Sequence, residues 1–423
     1  MSRLFKPIIL LYSTLIIVNG FAQEKHVLTF SKYINNVKNA NVSYLAERFN
    51  INIAEANIQA VKVFPDPELS ASYSNNQDWN LHMGYGVDIG LNYTLELGGK
   101  RRARIKRAQS EKEMTDALLE DYFRNLRADA AIAYLSALRT KQLSIIQKSS
   151  YYQMYKLAQA DSLRFYSGTI TETDARQSKL EAATMLNDVY KSEGELRNAI
   201  VQLQLFQGNI ILEYPDSIAG KLSFHKREFD LPNLITTAQN NRADLQAALK
   251  SKEMSQNDLL LVKANRITDL GLNIGGSYSS KVRNEIAPAP AFKGIVAGIS
   301  IPLKLSNMNK GELRAAQFAV TQNEMRYQAV ELELSSQVTQ AYNQYIMTCL
   351  QVEQFNTGLL NEAETILKKK VYSYERGETS MIELLNAQRT YNDVQTSYCE
   401  TLYNCAVALI ELERACGIWD IEI

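Results

Sequence analysis

One stretch of the sequence changes its periodicity within a few residues, and this change constrains the fold more than any other feature. From Tyr85 to Leu97 every odd position is apolar and every even position is Gly or polar, which is the period-two pattern of a β-strand with one apolar face. After Gly98 and Gly99 the apolar residues recur at steps of three and four, as in an amphipathic helix. The sequence therefore predicts a strand that leads directly into a helix.

That helix is too long for an ordinary globular domain. Its pattern shows no clear break from about Arg101 to Tyr166, and roughly 65 residues at about 1.5 Å each span about 100 Å. A turn at Gly168 is followed by a return helix, for which Thr171 and Asp174 are spaced as a capping box. We therefore expect an elongated helical hairpin.

The second half of the chain repeats this order of elements. The first half has a helical stretch at about 28–63, two alternating stretches, the long helix and its return helix. A helical stretch at about 231–266, two alternating stretches, a long helix at about 309–374 and a return helix follow in the same order. Gly377 follows Gly168 by 209 positions, and Gly417 follows Gly208 by the same number. Two landmarks with one spacing are typical of an internal duplication.

The N-terminus has the pattern of a secretory signal. Arg3 and Lys6 precede a short apolar run, and Ala22 ends a small-x-small cleavage site. The run is shorter than the roughly 20 residues that a membrane-spanning helix needs. We therefore divide the chain into a signal peptide (1–22), a first repeat (23–208), an irregular linker (209–230), a second repeat (231–417) and a C-terminal tail (418–423).

The alternating stretches decide the fold class. Each half has two of them, each of about 7 to 12 residues with an apolar side that no charge interrupts, close to a tilted membrane-crossing strand. Two isolated hairpins offer no second sheet to cover these sides, whereas lipid does cover them. About eight strands are the practical minimum for a barrel, so several chains must contribute. We predict a mainly α protein with a membrane β-barrel portion, made of a duplicated strand hairpin plus long antiparallel helices.

Charge and motif content exclude several function classes. The 46 basic and 46 acidic residues cancel, which argues against a nucleic-acid partner. The sequence has no Gly-rich phosphate loop and no HExxH motif, and we expect no catalytic, cofactor-binding or metal-ligating residues. The four cysteines fall in late helical pattern, and we interpret them as packed thiols rather than a metal site or a disulfide framework. These are Cys349, Cys399, Cys405 and Cys416, and the scattered histidines are His26, His82 and His225.

Several short stretches resemble the TolC family of outer-membrane efflux proteins, and the likeness covers essentially everything after the signal. They are Phe64-Pro65-Asp66-Pro67-Glu68-Leu69, Asn241-Arg242-Ala243-Asp244-Leu245, Ile301-Pro302-Leu303 and Leu412-Glu413-Arg414-Ala415-Cys416-Gly417. Ala243 stands where proline is common in the family, and Cys416 where a small hydroxyl residue is common. The resemblance implies a homotrimer with a 12-stranded β-barrel, to which each chain gives four strands, continued by an α-helical periplasmic tunnel in a Gram-negative bacterium.

The resemblance also implies partners and a function. The turns at Gly168 and Gly377 would dock onto a periplasmic adaptor (membrane fusion) protein and an inner-membrane efflux pump, and outer-membrane lipid would surround the barrel. The function is then that of a passive exit duct in a tripartite efflux system. The alternatives are a drug or polypeptide export duct of the same family and a non-transporting periplasmic helical scaffold.

One stretch, Leu95 to Arg104, is similar to the branch of the family that serves cobalt-zinc-cadmium export. This likeness makes heavy-metal cations a candidate cargo, which would pass through rather than be bound. Its basic residues have a simpler interpretation, because such side chains suit lipid phosphates where a chain leaves the bilayer. They are Lys100, Arg101, Arg102, Arg104, Lys106 and Arg107.

Two groups of charged residues are the candidate functional residues. The first surrounds the two helical turns, where threefold copying would form rings that hold the tunnel end shut or select cations; ordinary capping and surface solvation are the alternative. It comprises Asp161, Arg164, Gly168, Glu172, Asp174, Glu375, Arg376, Gly377 and Glu378. The second is expected on the polar strand faces, lining the barrel lumen, and comprises Asp88, Glu96 and Lys304.

Overall fold

Most of the described chain is helical, and two small β-sheets complete it. The structure is a computed structural model that describes residues 27–76, 82–208, 217–304 and 308–420, so the predicted signal peptide lies outside the described residues. In chain order the elements are β1 (Val27–Leu28), α1 (Phe30–Ala40), α2 (Val42–Val61), β2 (Glu68–Asn75), β3 (Tyr85–Leu95), α3 (Lys100–Tyr166), α4 (Glu172–Phe206), β4 (Ser217–Ile218), α5 (Leu231–Asn241), α6 (Ala243–Asn265), β5 (Leu270–Ser279), β6 (Phe292–Ser300), α7 (Lys310–Gln354), a π-helical turn (Phe355–Leu359), α8 (Leu360–Glu375) and α9 (Met381–Cys416).

The strand-to-helix change predicted at Gly98 and Gly99 is present, and both glycines are left-handed with φ of 73° and 72°. A side chain at position 98 would place its Cβ 2.6 Å from Ile267, so the corner between β3 and α3 requires glycine there. The corresponding corner before α7 is built differently. There Met308 and Asn309 adopt φ of 46° and 52° without any glycine.

The sheet differs from the expectation of two isolated hairpins. Its strand order is β2-β3-β5-β6, and the antiparallel pair β3–β5 joins the two hairpins. Apolar residues lie opposite one another along this pair, as Leu91 lies opposite Ile274 and Tyr93 opposite Leu272. The prediction of isolated hairpins was wrong because it followed sequence neighbours, whereas cross-strand apolar pairs stabilise the non-local contact.

Two helices that the sequence predicted as continuous are each broken once. The stretch predicted as helical from about 28 to 63 begins with strand β1 and breaks at Asn41, and that from 231 to 266 breaks at Arg242. Both residues leave the helical region, with ψ of 116° and 123°. The Asn41 amide donates to the carbonyl of Phe206 at 2.9 Å, and the Arg242 guanidinium to that of Ala415 at 3.3 Å. The side chain at each break therefore binds the carboxyl end of a return helix.

The predicted unbroken helix from 309 to 374 is also wrong. The α-helical pattern gives way to a π-helical turn at Phe355–Leu359, inside which Gly358 adopts φ of 128°. This value is accessible almost only to glycine, so the interruption depends on that residue. Insertions of this kind bend or weaken a helix locally.

The segment predicted as an irregular linker contains a strand. Ser217 and Ile218 form β4, which pairs in parallel with β1. The buried Tyr134 hydroxyl lies 2.9 Å and 2.7 Å from the carbonyl oxygens of Leu28 and Ala219, so α3 is fastened to both strands. This β1–β4 pair lies beside one of the apolar cores, to which Leu28, Tyr134 and Ile218 belong.

Candidate functional site at the helical turns and the strand-to-helix corner

A buried contact joins the two helical hairpins next to their turns. Asp161 on α3 is 0% exposed, and the Tyr374 hydroxyl on α8 donates to its Oδ1 at 3.1 Å. The Arg164 guanidinium lies 3.5 Å from the same oxygen and also stacks on the Tyr374 ring, 5.1 Å from its centroid. The first hairpin is therefore tied to the second by a charged hydrogen bond that water does not reach.

The surroundings of Asp161 act on its pKa in opposite directions. Burial raises the pKa above its ordinary value, and Asp174 raises it further, whereas hydrogen bonds from Ser178 and Tyr374 and the charge of Arg164 lower it. Burial prevails. Asp161 therefore takes up a proton more readily than an exposed aspartate does.

Both turns next to this contact close in the same way. Gly168 and Gly377 have φ of 74° and 78°, and their N–H groups donate to the carbonyls of Phe165 and Tyr374 at 2.9 Å and 3.0 Å. The next residue in each turn donates back to Arg164 or Ser373, which completes a Schellman motif. Because this motif fixes the chain direction, both hairpins present short turns of the same shape.

The helices after the turns are capped, although not by the reciprocal box that the sequence predicted. Thr171 accepts from the Asp174 N–H at 3.2 Å, but the Asp174 carboxylate accepts from the Thr171 hydroxyl rather than from its backbone. Ser380 accepts from the Glu383 N–H at 3.4 Å, whereas the Glu383 carboxylate pairs with Lys370 at 2.7 Å. The hydroxyl half of the box predicted at Thr171 is confirmed, and Ser380 caps its helix in the same way.

The remaining candidate charges at the turns are exposed. Glu172 pairs with Arg176 at 2.6 Å, and the Arg376 and Glu378 charges lie 3.9 Å apart. Glu375 is exposed, and Asp174 is half-buried. The predicted group thus divides into a buried contact and an exposed set of charges. Sequence reasoning missed Tyr374 as the partner of Asp161, because their contact spans 213 positions.

The three residues predicted to line a lumen do not share one environment. Asp88 lies on β3 and accepts from the Ser72 hydroxyl on β2 at 3.1 Å. Glu96 and Lys304 lie beyond the ends of β3 and β6, since these strands end at Leu95 and Ser300. Glu96 pairs with Arg104, with Oε2 and Nη2 2.9 Å apart, and Lys304 donates to the carbonyl of Asn265.

The basic residues after Gly99 mostly hold the corner together. Lys100 is buried and pairs with Asp269 at 2.7 Å. Arg101 donates to the carbonyl of Lys62 at 2.6 Å and stacks on Phe64, 4.3 Å from the ring centroid. Arg104 pairs with Glu96, and Arg107 pairs with Asp258. This stretch therefore joins β3, α2, α3 and α6. Only Arg102 and Lys106 are exposed, so the interpretation as ligands of lipid phosphates applies to these two alone.

The described residues offer no metal site and no membrane-spanning helix. That part of the chain holds no group of three or more His, Cys, Asp or Glu side chains arranged to bind a metal ion. None of its helices combines the length and the apolar character needed to cross a membrane. The four cysteines are buried, and no two of them are bonded to each other in this structure.

The comparisons with known proteins agree with this architecture. The model of the family "Outer membrane efflux protein" matches residues 33–209 and 234–418. The chain belongs to this family. The predicted resemblance is thereby confirmed, as is the predicted place of the protein in the outer membrane. It is an efflux protein, and its family is not one of enzymes.

Individual relatives are distant in sequence but match over most of the chain. The cobalt-zinc-cadmium resistance protein CzcC of Cupriavidus metallidurans is 22% identical over 92% of this chain and 90% of its own length. The outer membrane protein TolC of Vibrio cholerae is 19% identical over 84% of this chain and 82% of its own length. Both alignments cover more than four fifths of this chain, so the likeness is not confined to one element.

Solved structures show the same fold. The crystal structure of CusC superposes with a TM-score of 0.75 at 17% identity, covering 92% of each chain. The outer-membrane channel OprN superposes with a TM-score of 0.76 at 16% identity, covering 92% of this chain and 89% of that one. The mainly α fold with long helices that the sequence predicted is therefore shared with outer-membrane channels of known structure.

Proposed function

We propose that three copies of this chain form a passive exit duct, in which twelve strands close one barrel and the helices continue it as a periplasmic tunnel. The observation that carries this proposal is the apolar face of the four-stranded sheet. Leu69 on β2 and Ile295 on β6 are 75% and 87% exposed in the single chain. A soluble protein rarely leaves such a continuous surface uncovered, whereas lipid covers it without loss.

The other face of the same sheet suits a water-filled interior. Its β2 and β3 positions carry hydroxyls, amides, glycines and two charges, among them Glu68, Ser70, Asp88, Asn92 and Thr94. Strands β2 and β6 are the two sheet edges, so a barrel closes by pairing β6 of one copy with β2 of the next. Four strands are too few to close alone, and three copies supply twelve.

Oligomeric state tests the proposal directly. The protein purified from outer membranes in detergent is expected to have three times the 47.8 kDa of the full chain, less the three signal peptides and apart from bound detergent. Native mass spectrometry measures this after detergent removal in the gas phase. A monomer that fractionates with soluble proteins would favour the alternative of a periplasmic helical scaffold.

The turns at Gly168 and Gly377 are proposed to dock onto a periplasmic adaptor, with an inner-membrane pump supplying the energy. The buried contact between Asp161 and Tyr374 is proposed to hold the tunnel end narrow, because opening must separate the two hairpins there. Three copies would place the acids at the turns, including Asp174 and Glu378, in a ring that attracts cations.

Neutralising two of these acids tests the ring. The variant with Asp174→Asn and Glu378→Gln together is expected to lower the preference for cations in reversal-potential measurements across a salt gradient. The matched control is Glu47→Gln with Glu228→Gln, which removes two exposed acids far from the turns. Equal selectivity in both variants would count against the charge ring.

Heavy-metal cations are the proposed cargo, and the similarity to CzcC supports this choice. The stretch from Leu95 to Arg104 adds no support for this cargo, because its residues form the corner after β3. A strain without the protein is expected to lose tolerance of cobalt, zinc or cadmium salts while its tolerance of dyes changes little. The reverse pattern would favour a duct for drugs.

A further inference from the structure

Two of the four thiols face each other across a helix contact. The Sγ atoms of Cys349 on α7 and Cys405 on α9 lie 3.6 Å apart, and both side chains are buried. Cys399 contacts the backbone oxygen of Arg139 instead, at 4.0 Å. Cys416 follows Cys405 on the same helix by roughly three turns, which is too far for a bond between those two.

We propose that Cys349 and Cys405 are joined by a disulfide in the mature protein, which cross-links α7 to α9. The Sγ–Sγ distance of 3.6 Å must shrink to about 2.05 Å when the bond forms, and the two sulfur atoms are already in contact. Both helices belong to the periplasmic part of an outer-membrane protein, and that compartment is where disulfides form and persist.

The reaction balances with an oxidant of known chemical class. Each thiol loses one proton and one electron, and the two sulfur atoms form one Sγ–Sγ bond. The two electrons and two protons pass to the disulfide of a periplasmic dithiol oxidase, which becomes a pair of thiols. This exchange occurs while the chain is folding, since the thiols are inaccessible afterwards.

Burial then protects the product. Burial also raises the pKa of the unbonded Cys405 thiol to about 12, so a thiolate is scarce once the helices have packed and the bond must form before then. The same packing among apolar side chains, which include Leu412 and Val352, keeps external thiols from the bond. A disulfide in such a place is structural rather than a reversible switch.

The position gives the cross-link a mechanical consequence. Cys349 lies less than two turns before the π-helical turn, and the enclosed loop contains that turn, α8, the turn at Gly377 and the first part of α9. The disulfide joins α7 to α9 on the side of Gly358 that is farther from the turn at Gly377. Bending at Gly358 then moves only the part of the hairpin that carries the turn at Gly377.

Thiol counting tests the proposal. Protein is isolated from outer membranes and denatured with excess N-ethylmaleimide present. One portion is weighed intact directly, and the other is reduced, alkylated again with fresh N-ethylmaleimide and then weighed. We expect two alkyl groups without reduction and four after it, since the chain has four cysteines. Peptide mapping is expected to find Cys349 and Cys405 in one linked species. Four alkyl groups before reduction, or a link through another cysteine, would overturn the proposal.

Variants that replace one cysteine distinguish a specific bond between Cys349 and Cys405 from nonspecific oxidation of the thiols. Cys349→Ser frees its partner, so three alkyl groups are expected whether or not the protein is reduced. Cys399→Ser is the matched control, because it removes a buried thiol outside the pair; one alkyl group is expected before reduction and three after it. If Cys349→Ser does not fold, the control and the wild-type chain still decide the result.

Discussion

The long helix α3 runs unbroken from Lys100 to Tyr166, whereas the corresponding helix in the second half stops being α-helical at Phe355–Leu359. The two helices otherwise have the same role, since each begins after a corner at the end of the sheet and ends at a Schellman turn. Only the second contains a glycine whose φ of 128° interrupts the hydrogen-bond pattern. The comparison indicates that the second hairpin has a site at which its long helix can bend, and that α3 has no such interruption.

A buried charge provides a second difference between the halves. Glu413 on α9 is 0% exposed, while the residue 209 positions earlier, Gln204, is also buried but neutral. Burial and the neighbouring Asp420 raise the pKa of Glu413 to about 8, although Arg227 opposes this at 2.9 Å. Arg127 from α3 also faces this group, and burial lowers its own pKa. The second half therefore carries a pH-sensitive group that the first half lacks at the matching position.

The largest expected effect concerns this group. The pKa of Glu413 in the folded protein lies above the usual 4.5. The stabilisation that comes from its protonated side chain is therefore complete below about pH 4.5 and is lost as pH rises through about 8. We expect the free energy of unfolding to fall by a few kcal/mol across that window, and Glu413→Gln to flatten this slope. Thermal unfolding midpoints in detergent at pH 5 and pH 8 measure this change in stability. Glu411→Gln is the control. Equal pH slopes in the two variants would contradict the assignment of the pH dependence to Glu413.

The next effect concerns the contact that ties the two hairpins together. Tyr374→Phe removes a donor from the buried carboxylate of Asp161, and hydrogen bonds to charged groups contribute about 1.5–3 kcal/mol. We expect the open population, and hence the mean current at fixed voltage, to rise roughly 10-fold or more.

The control for that variant is Tyr372→Phe. Tyr372 is exposed beneath Arg376, so the change removes a hydroxyl from a solvent-facing ring of the same type. A current in Tyr374→Phe no larger than in this control would show that the contact does not hold the tunnel end.

A smaller effect tests the difference between the two long helices. Gly358→Ala forces a side chain into a backbone conformation that costs on the order of 1–3 kcal/mol, so the π-helical turn should be lost or displaced. Gly194→Ala on α4 is the control, where the backbone is helical, space is open, and a gain of up to about 1 kcal/mol is expected. Hydrogen exchange of residues 350–366 reads out the change. Unaltered exchange there would remove the basis for a bending second hairpin.

The smallest effect concerns the helix break in the first half. Asn41→Ala removes the cap on α2, where its Oδ1 accepts from Tyr44 N–H at 2.9 Å, together with the bond to Phe206. We expect a loss of about 1–2 kcal/mol. Asn50→Ala, which removes an exposed side-chain contact to Glu47, should change much less. Denaturant titration compares the two variants.

Local patterns in the sequence predicted much of this structure. The alternation from Tyr85, the glycine corner and the turns at Gly168 and Gly377 were all readable because each depends on neighbouring residues. The breaks at Asn41 and Arg242 were not, since the carbonyls that their side chains hold come from a different helix. Nor was the pairing of β3 with β5, or of β1 with β4, because both join distant segments.

The candidate site was predictable only in part. The sequence placed the charged residues near the turns, but it could not show that Asp161 is buried against Tyr374. The corner residues were misjudged for a similar reason. Lys100 and Arg104 looked like a basic edge facing lipid, whereas each is paired with an acid, Asp269 or Glu96, and helps to hold the corner.

Single-channel recording in planar bilayers tests the central claim most directly. The purified protein is expected to insert as a trimer and give discrete current steps, with larger or longer openings in Tyr374→Phe than in Tyr372→Phe. Insertion without any current, from a preparation whose trimeric mass has been verified, would contradict the account of this chain as a duct.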